Sequence, residues 1–395
     1  ESLKEPFTAS AVLSAFSEPL GRGVHAAYNG TSVYVGWRWL ETDSPATGFH
    51  VERRVGATGT WQQRTTTPIA QTTDYVDTSV SGLSSTDLYY RVRPVVGQHN
   101  GTPSPATHVS TTAASNYKTI STDDSVGKVG IGDLDGDGEY DFVVRTHAGS
   151  IDPQGAPNSP WHKTGWGTSS YKSYKLRAFK SDGSPMWVYD LGPNIEGGIW
   201  YSPYVVADLN GDGKAEVVTK GYHGTEVHRD ANGMVQTGDE HLIVLNGETG
   251  AYVDHILWPT RDGFDNYNHA SRNLIGVANL DGPGDTTPSI VVVRGTYDEM
   301  KVYTYDFNGT TVSNRWEWYS WLETKPGEWD GQGGHSLHTL DVTGDGRDEI
   351  FLGSAALTYD GKGLWTTGKD DIDHTYVGDL IPDRPVSYTH LRAHE

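Results

Sequence analysis

Three stretches decide how this chain folds: KVGIGDLDGDGEYDFVVR at residues 128–145, YVVADLNGDGKAEVVTK at 204–220 and HTLDVTGDGRDEIFLG at 338–353. Each is an apolar run, a tight acidic turn and a second apolar run, the pattern of two short strands joined by a loop. A looser copy, GVANLDGPGDTTPSIVVVRG, covers 276–295, and VGDLIPDRP at 377–385 opens like another. The first loop positions are Asp133, Asp208, Asn279, Asp341 and Asp379, so successive copies lie 75, 71, 62 and 38 residues apart. Further strand-like runs such as YKLRAFK, HLIVLNG and KVYTYDF fill the intervals. Units of this size cannot bury their own faces. Four-stranded blades arranged radially, a β-propeller, are the predicted architecture, with a solenoid as the alternative.

The turns themselves carry a chemical pattern. Asp133, Asp135, Asp137 and Asp141 stand at positions 1, 3, 5 and 9 of the first loop, matched by Asp208, Asn210, Asp212 and Glu216 in the second and Asp341, Thr343, Asp345 and Glu349 in the third. Hard oxygens at alternating positions, with Gly136, Gly211 and Gly344 letting the backbone curl, suit the six to eight ligands of Ca²⁺. Position 7 is Glu139, Lys214 and Arg347, so its side-chain charge is immaterial and a backbone carbonyl is the expected ligand there. Position 12 is Val144, Thr219 and Leu352, which excludes the bidentate glutamate of an EF-hand. These read as strand-turn-strand calcium loops whose ions staple the fold.

Composition narrows the rest. With 30 Lys and Arg against 51 Asp and Glu, the net charge of −21 argues against nucleic acid as a partner. The 13 Trp, 22 Tyr and 8 Phe argue against disorder, and Cys is 0, so no disulfide or zinc-thiolate site is available. No run reaches the roughly 18 apolar residues of a membrane span. The start, ESLKEPFTAS, lacks Met and any signal-peptide pattern, which fits a processed secreted protein.

Residues 21–112, with TSVYVGWRWL, TGFHVERRV, DLYYRVRPVV and THVSTTA at regular spacing, predict a β-sandwich. Leu83 followed six positions later by Tyr89 resembles the tyrosine corner of fibronectin type III modules, with Trp37 as the buried strand tryptophan. TTAASNY at 111–117 reads as a linker. The organisation expected is therefore an N-terminal segment (1–20), a fibronectin type III-like sandwich (21–112), a partial propeller (113–385) and a tail, VSYTHLRAHE (386–395), that breaks the repeat and reads as foreign to it.

The propeller region is rich in aromatic and amide side chains: WHKTGWG (161–167), EGGIWYSPY (196–204), RDGFDNYNHASRN (261–273) and NRWEWYSWLETKPGEWDGQGGHS (314–336). Such rings stack on pyranose faces while amides read hydroxyls, which makes Trp200 and Tyr201 candidate sugar contacts, although many of these rings serve ordinary packing. No GxSxG, HExxH, P-loop or dinucleotide fingerprint is present.

The run WVYDLGPNIEGGIWYSPYVVADLNGDGKAEVVTK, then EHLIVLNGETG, then GQGGHSLHTLDVTGDGRDEIFLGSAALTYDGKGLWTTG and VGDLIPDRP closely resemble family 11 polysaccharide lyases, the rhamnogalacturonan lyases. The resemblance runs in order from about Tyr34 to Pro385. It implies an eight-bladed propeller in the complete protein, several calcium ions, secretion, and β-elimination of the rhamnogalacturonan I backbone of pectin. It places Asn194 in the family's central cleft region and matches His335 to the family's histidine there. KDDIDHTYVGD departs from the family pattern, with Asp371 where a histidine is expected. Lys220, Arg272 and Arg294, basic residues near strand ends, are candidates to help at the cleft. His335 and Lys220 are thus the candidate catalytic groups, and Asn194, Trp200, Tyr201 and Arg272 the candidate substrate contacts. Calcium is also expected to offset the repulsion between a chain of −21 and an anionic polymer. A non-catalytic calcium-repeat lectin that binds pectic fragments is the alternative. A monomer is expected, and an unclosed propeller predicts weak activity for the 395 residues alone.

Overall fold

The structure is a computed structural model that describes residues 20–40, 42–109, 119–146, 173–195, 201–228, 235–264, 267–378 and 387–391. Eight strands build the first unit: β1 (His25–Tyr28), β2 (Val33–Gly36), β3 (Thr47–Val55), β4 (Gln62–Gln63), β5 (Asp74–Asp77), β6 (Leu88–Val96), β7 (His99–Asn100) and β8 (Thr107–His108). Strands β1, β2 and β5 form one antiparallel sheet; β4, β3, β6 and β7 form the other, with β8 beside β6. Side chains alternate across a strand, so each sheet offers one apolar face. Leu88, Tyr90 and Val92 of β6 meet Phe49 and Val51 of β3 and Val33 and Val35 of β2 between the sheets. Trp37 joins them, edge-on to Phe49 at 5.5 Å.

The expected tyrosine pairing is off by one residue. Tyr90 is the buried tyrosine, its hydroxyl donating to Asp77 at 2.7 Å, while Leu83 is 37 % exposed. Because strand faces alternate, Tyr89 lies on the other face, under the Arg54 guanidinium.

Four antiparallel four-stranded sheets follow, each a meander in chain order. The first is β9 (Val126–Gly132), β10 (Asp141–Thr146), β11 (Lys175–Phe179) and β12 (Pro185–Asp190). The second is β13 (Tyr204–Ala207), β14 (Glu216–Gly221), β15 (His241–Leu245) and β16 (Tyr252–Leu257). The third is β17 (Asn273–Ala278), β18 (Ser289–Arg294), β19 (Lys301–Phe307) and β20 (Val312–Tyr319), preceded by the short helix α1 (Tyr267–Ala270). The fourth is β21 (Gly333–Leu340), β22 (Glu349–Gly353), β23 (Ala355–Leu357) and β24 (Gly363–Thr366). Beyond it β25 (His374–Gly378) pairs with β26 (Ser387–Leu391), so residues expected to stand outside the repeat contribute a strand. No helix among the described residues is long and apolar enough to cross a membrane.

The sheets pack face to face in sequence. Val217 of β14 shares a core with Val143 and Leu176 of the first sheet, whereas its neighbour Val218 shares one with Ile290 and Val292 of the third. Val291 and Val293 in turn meet Ile350 and Leu352 of the fourth. Second strands are thus buried on both faces, which is why they read as unbroken apolar runs. First strands also neighbour one another: β9 lies beside β13, β13 beside β17, β17 beside β21 and β21 beside β25.

An indole staple recurs between sheets. Trp187 of β12 donates to the Gly247 carbonyl of the next sheet at 2.6 Å, and Trp316 of β20 donates to the Tyr359 carbonyl at 3.1 Å. A Cβ at Gly250 would meet the Trp187 ring at 2.5 Å, and one at Gly361 would meet Trp316 at 2.7 Å, so only glycine admits the indole. Trp187→Ala should cost roughly 2–4 kcal/mol through a lost ring and lost hydrogen bond, read as a lower denaturant midpoint with calcium present.

Candidate functional site

The acidic loops join the first and second strands of each sheet. In the first, the Asp133 carboxylate accepts the backbone N–H groups of Gly136 (2.8 Å), Asp137 (3.1 Å) and Gly138 (2.7 Å). In the second, Asp208 accepts from Gly211 and Gly213, both at 2.8 Å; in the fourth-sheet loop, Asp341 accepts from Gly344 (2.6 Å) and Gly346 (2.8 Å). Positions 4 and 6 need glycine because their φ is positive, +78° and +87° at Gly136 and Gly138. Position 9 closes each loop by accepting the position-2 N–H: Asp141 from Leu134, Glu216 from Leu209 and Glu349 from Val342.

Carboxylate oxygens of Asp133, Asp135 and Asp141 lie within 4.8 Å of one another, a donor set that fits a divalent cation. In the other two loops Asn210 and Thr343 replace the position-3 carboxylate with neutral oxygens. Burial pushes Asp141 up to about 6 and Glu216 up to about 7, and the neighbouring loop carboxylates push the same way. Asp133 and Glu349 are raised for the same reasons. Two of the position-7 side chains turn elsewhere: Glu139 lies 3.7 Å from Arg38 of the sandwich, and Lys214 lies 2.5 Å from Glu248, whereas Arg347 also comes within 3.7 Å of Asp345 in its own loop. Arg347 covers the Tyr359 ring at 4.7 Å. The loops also touch in succession. The Ala215 N–H donates to the Asp133 carbonyl and the Asp348 N–H to the Asn279 carbonyl, both at 2.7 Å.

The remaining candidates gather at the opposite ends of the same strands. Lys220 is the penultimate residue of β14, Arg294 ends β18, Arg272 immediately precedes β17 and His335 lies near the start of β21. At about 3.3 Å per residue these points stand roughly 13–20 Å along the strands from the loops. Glu240, just before β15, organises this end. Its carboxylate contacts Lys220, Arg261 and Arg294, each at 2.6 Å. Burial alone would raise the Glu240 carboxyl, but the three cations outweigh it and hold it far below the usual carboxylate range.

Beside this group, Arg272 donates to Asn268 at 3.2 Å and its guanidinium lies 5.3 Å from the Tyr297 ring centre. The Tyr297 hydroxyl is 2.9 Å from His335 Nε2, and His335 Nδ1 is 3.6 Å from Asp373. Burial, and then the Arg272 charge, hold the His335 imidazole below the ordinary histidine value. His269 of α1, 2.7 Å from Asp298, completes the group with its ring 5.2 Å from that of Tyr297.

The structure thus brings His335 and Arg272 together and gives other candidates different work. Lys220 is 1 % exposed, with Nζ 2.6 Å from Glu240 and donating to the Tyr201 carbonyl at 3.1 Å, so the structure places it inside the fold. Tyr201 is buried with its hydroxyl on Asn268 at 3.0 Å, so its ring has no face for a sugar. Asn194 is buried, donating to the Glu226 carbonyl and accepting the His228 N–H, both at 2.7 Å. Trp200 lies outside the described residues, as do the 111–117 linker, the 161–167 aromatic stretch and the turn at Asp379. Sequence reasoning missed Tyr297 and Glu240. Neither belongs to a repeat position or an aromatic cluster that would have flagged it.

Comparison with known proteins finds the following. The family described as rhamnogalacturonan lyase family 11, C-terminal domain, matches residues 104–395, and the rhamnogalacturonan I lyases beta-sheet domain matches 16–110. The chain is 34 % identical to rhamnogalacturonan endolyase YesW and to rhamnogalacturonan exolyase YesX of Bacillus subtilis (strain 168), over 93 % of its length in each case. It covers 60 % and 61 % of those two proteins, respectively. The crystal structure of exotype rhamnogalacturonan lyase YesX superposes with a TM-score of 0.80 at 31 % identity, over 96 % of this chain and 64 % of that one. A rhamnogalacturonan lyase of Bacillus licheniformis gives 0.79 at 31 % identity, over 96 % and 66 %.

Proposed function

Since the chain belongs to rhamnogalacturonan lyase family 11, we propose that it forms the greater part of a secreted, monomeric enzyme that cleaves the rhamnogalacturonan I backbone of pectin by β-elimination. The observation that carries this reading is the Arg272–Tyr297–His335–Asp373 group at the end of the strands away from the acidic loops. A galacturonosyl C5 proton becomes removable once its carboxylate charge is offset, and the Arg272 guanidinium supplies that offset. With its Nε2–H donated to the Tyr297 hydroxyl, His335 accepts the C5 proton at Nδ1, and Asp373, 3.6 Å away, stabilises the imidazolium that forms. The electron pair moves into a C4–C5 double bond as the C4–O bond breaks, and the departing oxygen takes up a proton from water. Lys220, Arg294 and Arg261 around Glu240 act as positioning residues that hold this end positive. The expectation that ions in the loops offset substrate repulsion gives way to these side chains, because the loops lie at the other end.

Asp133, Asp135, Asp137 and Asp141, with their counterparts in the loops at Asp208 and Asp341, would hold calcium together with the position-7 carbonyls of Glu139, Lys214 and Arg347. Bound there, calcium neutralises clustered carboxylates and fixes the hairpins. The same reading arranges the four sheets radially with their first strands innermost, as propeller blades. The succession of neighbouring first strands and the two indole staples support it.

Full-length protein incubated with rhamnogalacturonan I should raise ultraviolet absorbance as unsaturated uronate ends accumulate. Folded protein that binds the polymer stoichiometrically and leaves it uncut would establish the lectin alternative instead.

A further inference from the structure

The third-sheet loop does not fit calcium. Its residues are Asn279 at position 1, Asp281 at position 3, Pro283 at position 5 and Asp285 at position 7, so the middle carboxylate is gone, and the later one accepts from the Thr287 N–H at 3.1 Å and hydroxyl at 2.8 Å. Strand register shows what became of position 9. Gly132 pairs with Asp141, Ala207 with Glu216 and Leu340 with Glu349, and in the third sheet Ala278 pairs with Ser289. A hydroxyl therefore stands where the other loops carry a carboxylate. Of the two carboxylates left, Asp285 is occupied by Thr287 and Asp281 by a side chain from outside the loop, so the alternating set that suits calcium in the other loops is broken.

Arg315, on β20, reaches into this place. Its Nη1 and Nη2 meet the two Asp281 oxygens at 2.6 and 2.5 Å, a bidentate pair. Nη1 also lies 3.4 Å from Ser289 Oγ and 3.4 Å from Asp306 Oδ1, and Ser289 donates to Asp306 at 2.6 Å. The guanidinium thus joins position 3 to the position-9 equivalent, the two positions that a loop ion would bridge. We propose that in the third sheet the Arg315 guanidinium replaces the divalent ion, so that residues 279–289 hold their turn without metal. A planar, permanently charged fork suits a carboxylate bidentately, and its tether makes occupancy independent of free calcium. The nearest counterpart in the first loop is of a different kind: Lys180 touches Asp135 through one ammonium contact at 2.6 Å and is half exposed, which leaves Asp133 and Asp141 for an ion.

The consequence is a loop-by-loop difference in calcium dependence. Asn279 is bonded to the following loop through its carbonyl, accepting from Asp348 N–H at 2.7 Å, and through its N–H, which donates to Asp348 Oδ2 at 2.8 Å. An arginine-filled third loop therefore gives the 341–349 loop a fixed neighbour when ions are scarce.

Amide hydrogen exchange resolved by peptide tests this on the full chain. Free calcium is lowered while far-ultraviolet circular dichroism stays native. Exchange in 133–141 and 208–216 should quicken tenfold or more, and 279–289 should change less than twofold. In saturating calcium, Arg315→Met should quicken 279–289 tenfold or more and spare the 133–141 loop, while Arg315→Lys should fall between. If the Met variant does not fold, Asp281→Asn, at the exposed side of the pair, provides the same selective readout. Opening of wild-type 279–289 in step with the other loops, or unchanged protection in the variants, overturns the proposal. Should no loop respond to calcium, the metal reading of the others fails, while the variants still decide the role of Arg315.

Discussion

His335→Ala in the full-length protein is expected to lower turnover on rhamnogalacturonan I by about two to four orders of magnitude, the usual share of a general base. Its melting temperature should hardly move. The imidazole is partly exposed, with a side-chain exposure of 24 %, so little packing is lost. Two features make it the candidate base. Tyr297 fixes the ring through Nε2 at 2.9 Å, which leaves Nδ1, 3.6 Å from Asp373, as the nitrogen that takes the proton. Burial and Arg272 also disfavour the imidazolium, which keeps the proton-accepting form populated below the ordinary value of 6.5. The acid limb of kcat/KM should therefore lie below 6.5, and it should vanish in the alanine variant. Tyr297→Phe, which keeps the ring and removes the hydroxyl, should lower kcat more than it raises KM. Retention of more than a tenth of wild-type turnover by His335→Ala would assign the proton transfer to another group.

Chelation should be nearly as severe for the fold. An ion at a hundredfold excess over its dissociation constant stabilises a folded protein by about 2.7 kcal/mol. Three such loops together reach about 8 kcal/mol, comparable with the whole stability of an ordinary domain, about 5–15 kcal/mol. The loss has a defined pH dependence. Asp141 and Glu216 rise from 3.8 and 4.5 to about 6 and about 7 on folding, so the ion-free fold favours their protonated forms. That favourable contribution is complete below the unfolded values and disappears as pH rises through 6 to 7. Chelator should thus lower the melting temperature strongly at pH 8 and much less at pH 5. An unchanged melting curve at pH 8 would end the metal reading of these loops.

Much of the fold was legible because its signals are local. The strands β11, β15 and β19 coincide with the runs YKLRAFK, HLIVLNG and KVYTYDF, and Trp37 lies in the sandwich core. The tyrosine misassignment shows the limit of local signals. Tyr89 and Tyr90 are adjacent aromatics on one strand, and only the register of β6 against β3 settles which faces inward. The site was legible in part. The stretch 261–273 was flagged for its amides and aromatics, and it supplies Arg261, Asn268, His269 and Arg272. Glu240, which opens the run EHLIVLNGETG, and Tyr297, between β18 and β19, carry no spacing or residue pattern that marks them as site residues.

The sequence alone determined the repeat, the all-β class and the oxygen-bearing positions of three loops, because each of these is a short-range pattern of side-chain type and spacing. Only the tertiary structure decided which charges meet. It placed the acidic loops and the Arg272–His335 group at opposite ends of shared strands, turned Lys220 inward onto Glu240, and brought Arg315 across 34 residues of chain to Asp281. The physical reason is that Coulombic and hydrogen-bond energies depend on distances of a few ångströms between strands far apart in sequence, and packing sets those distances.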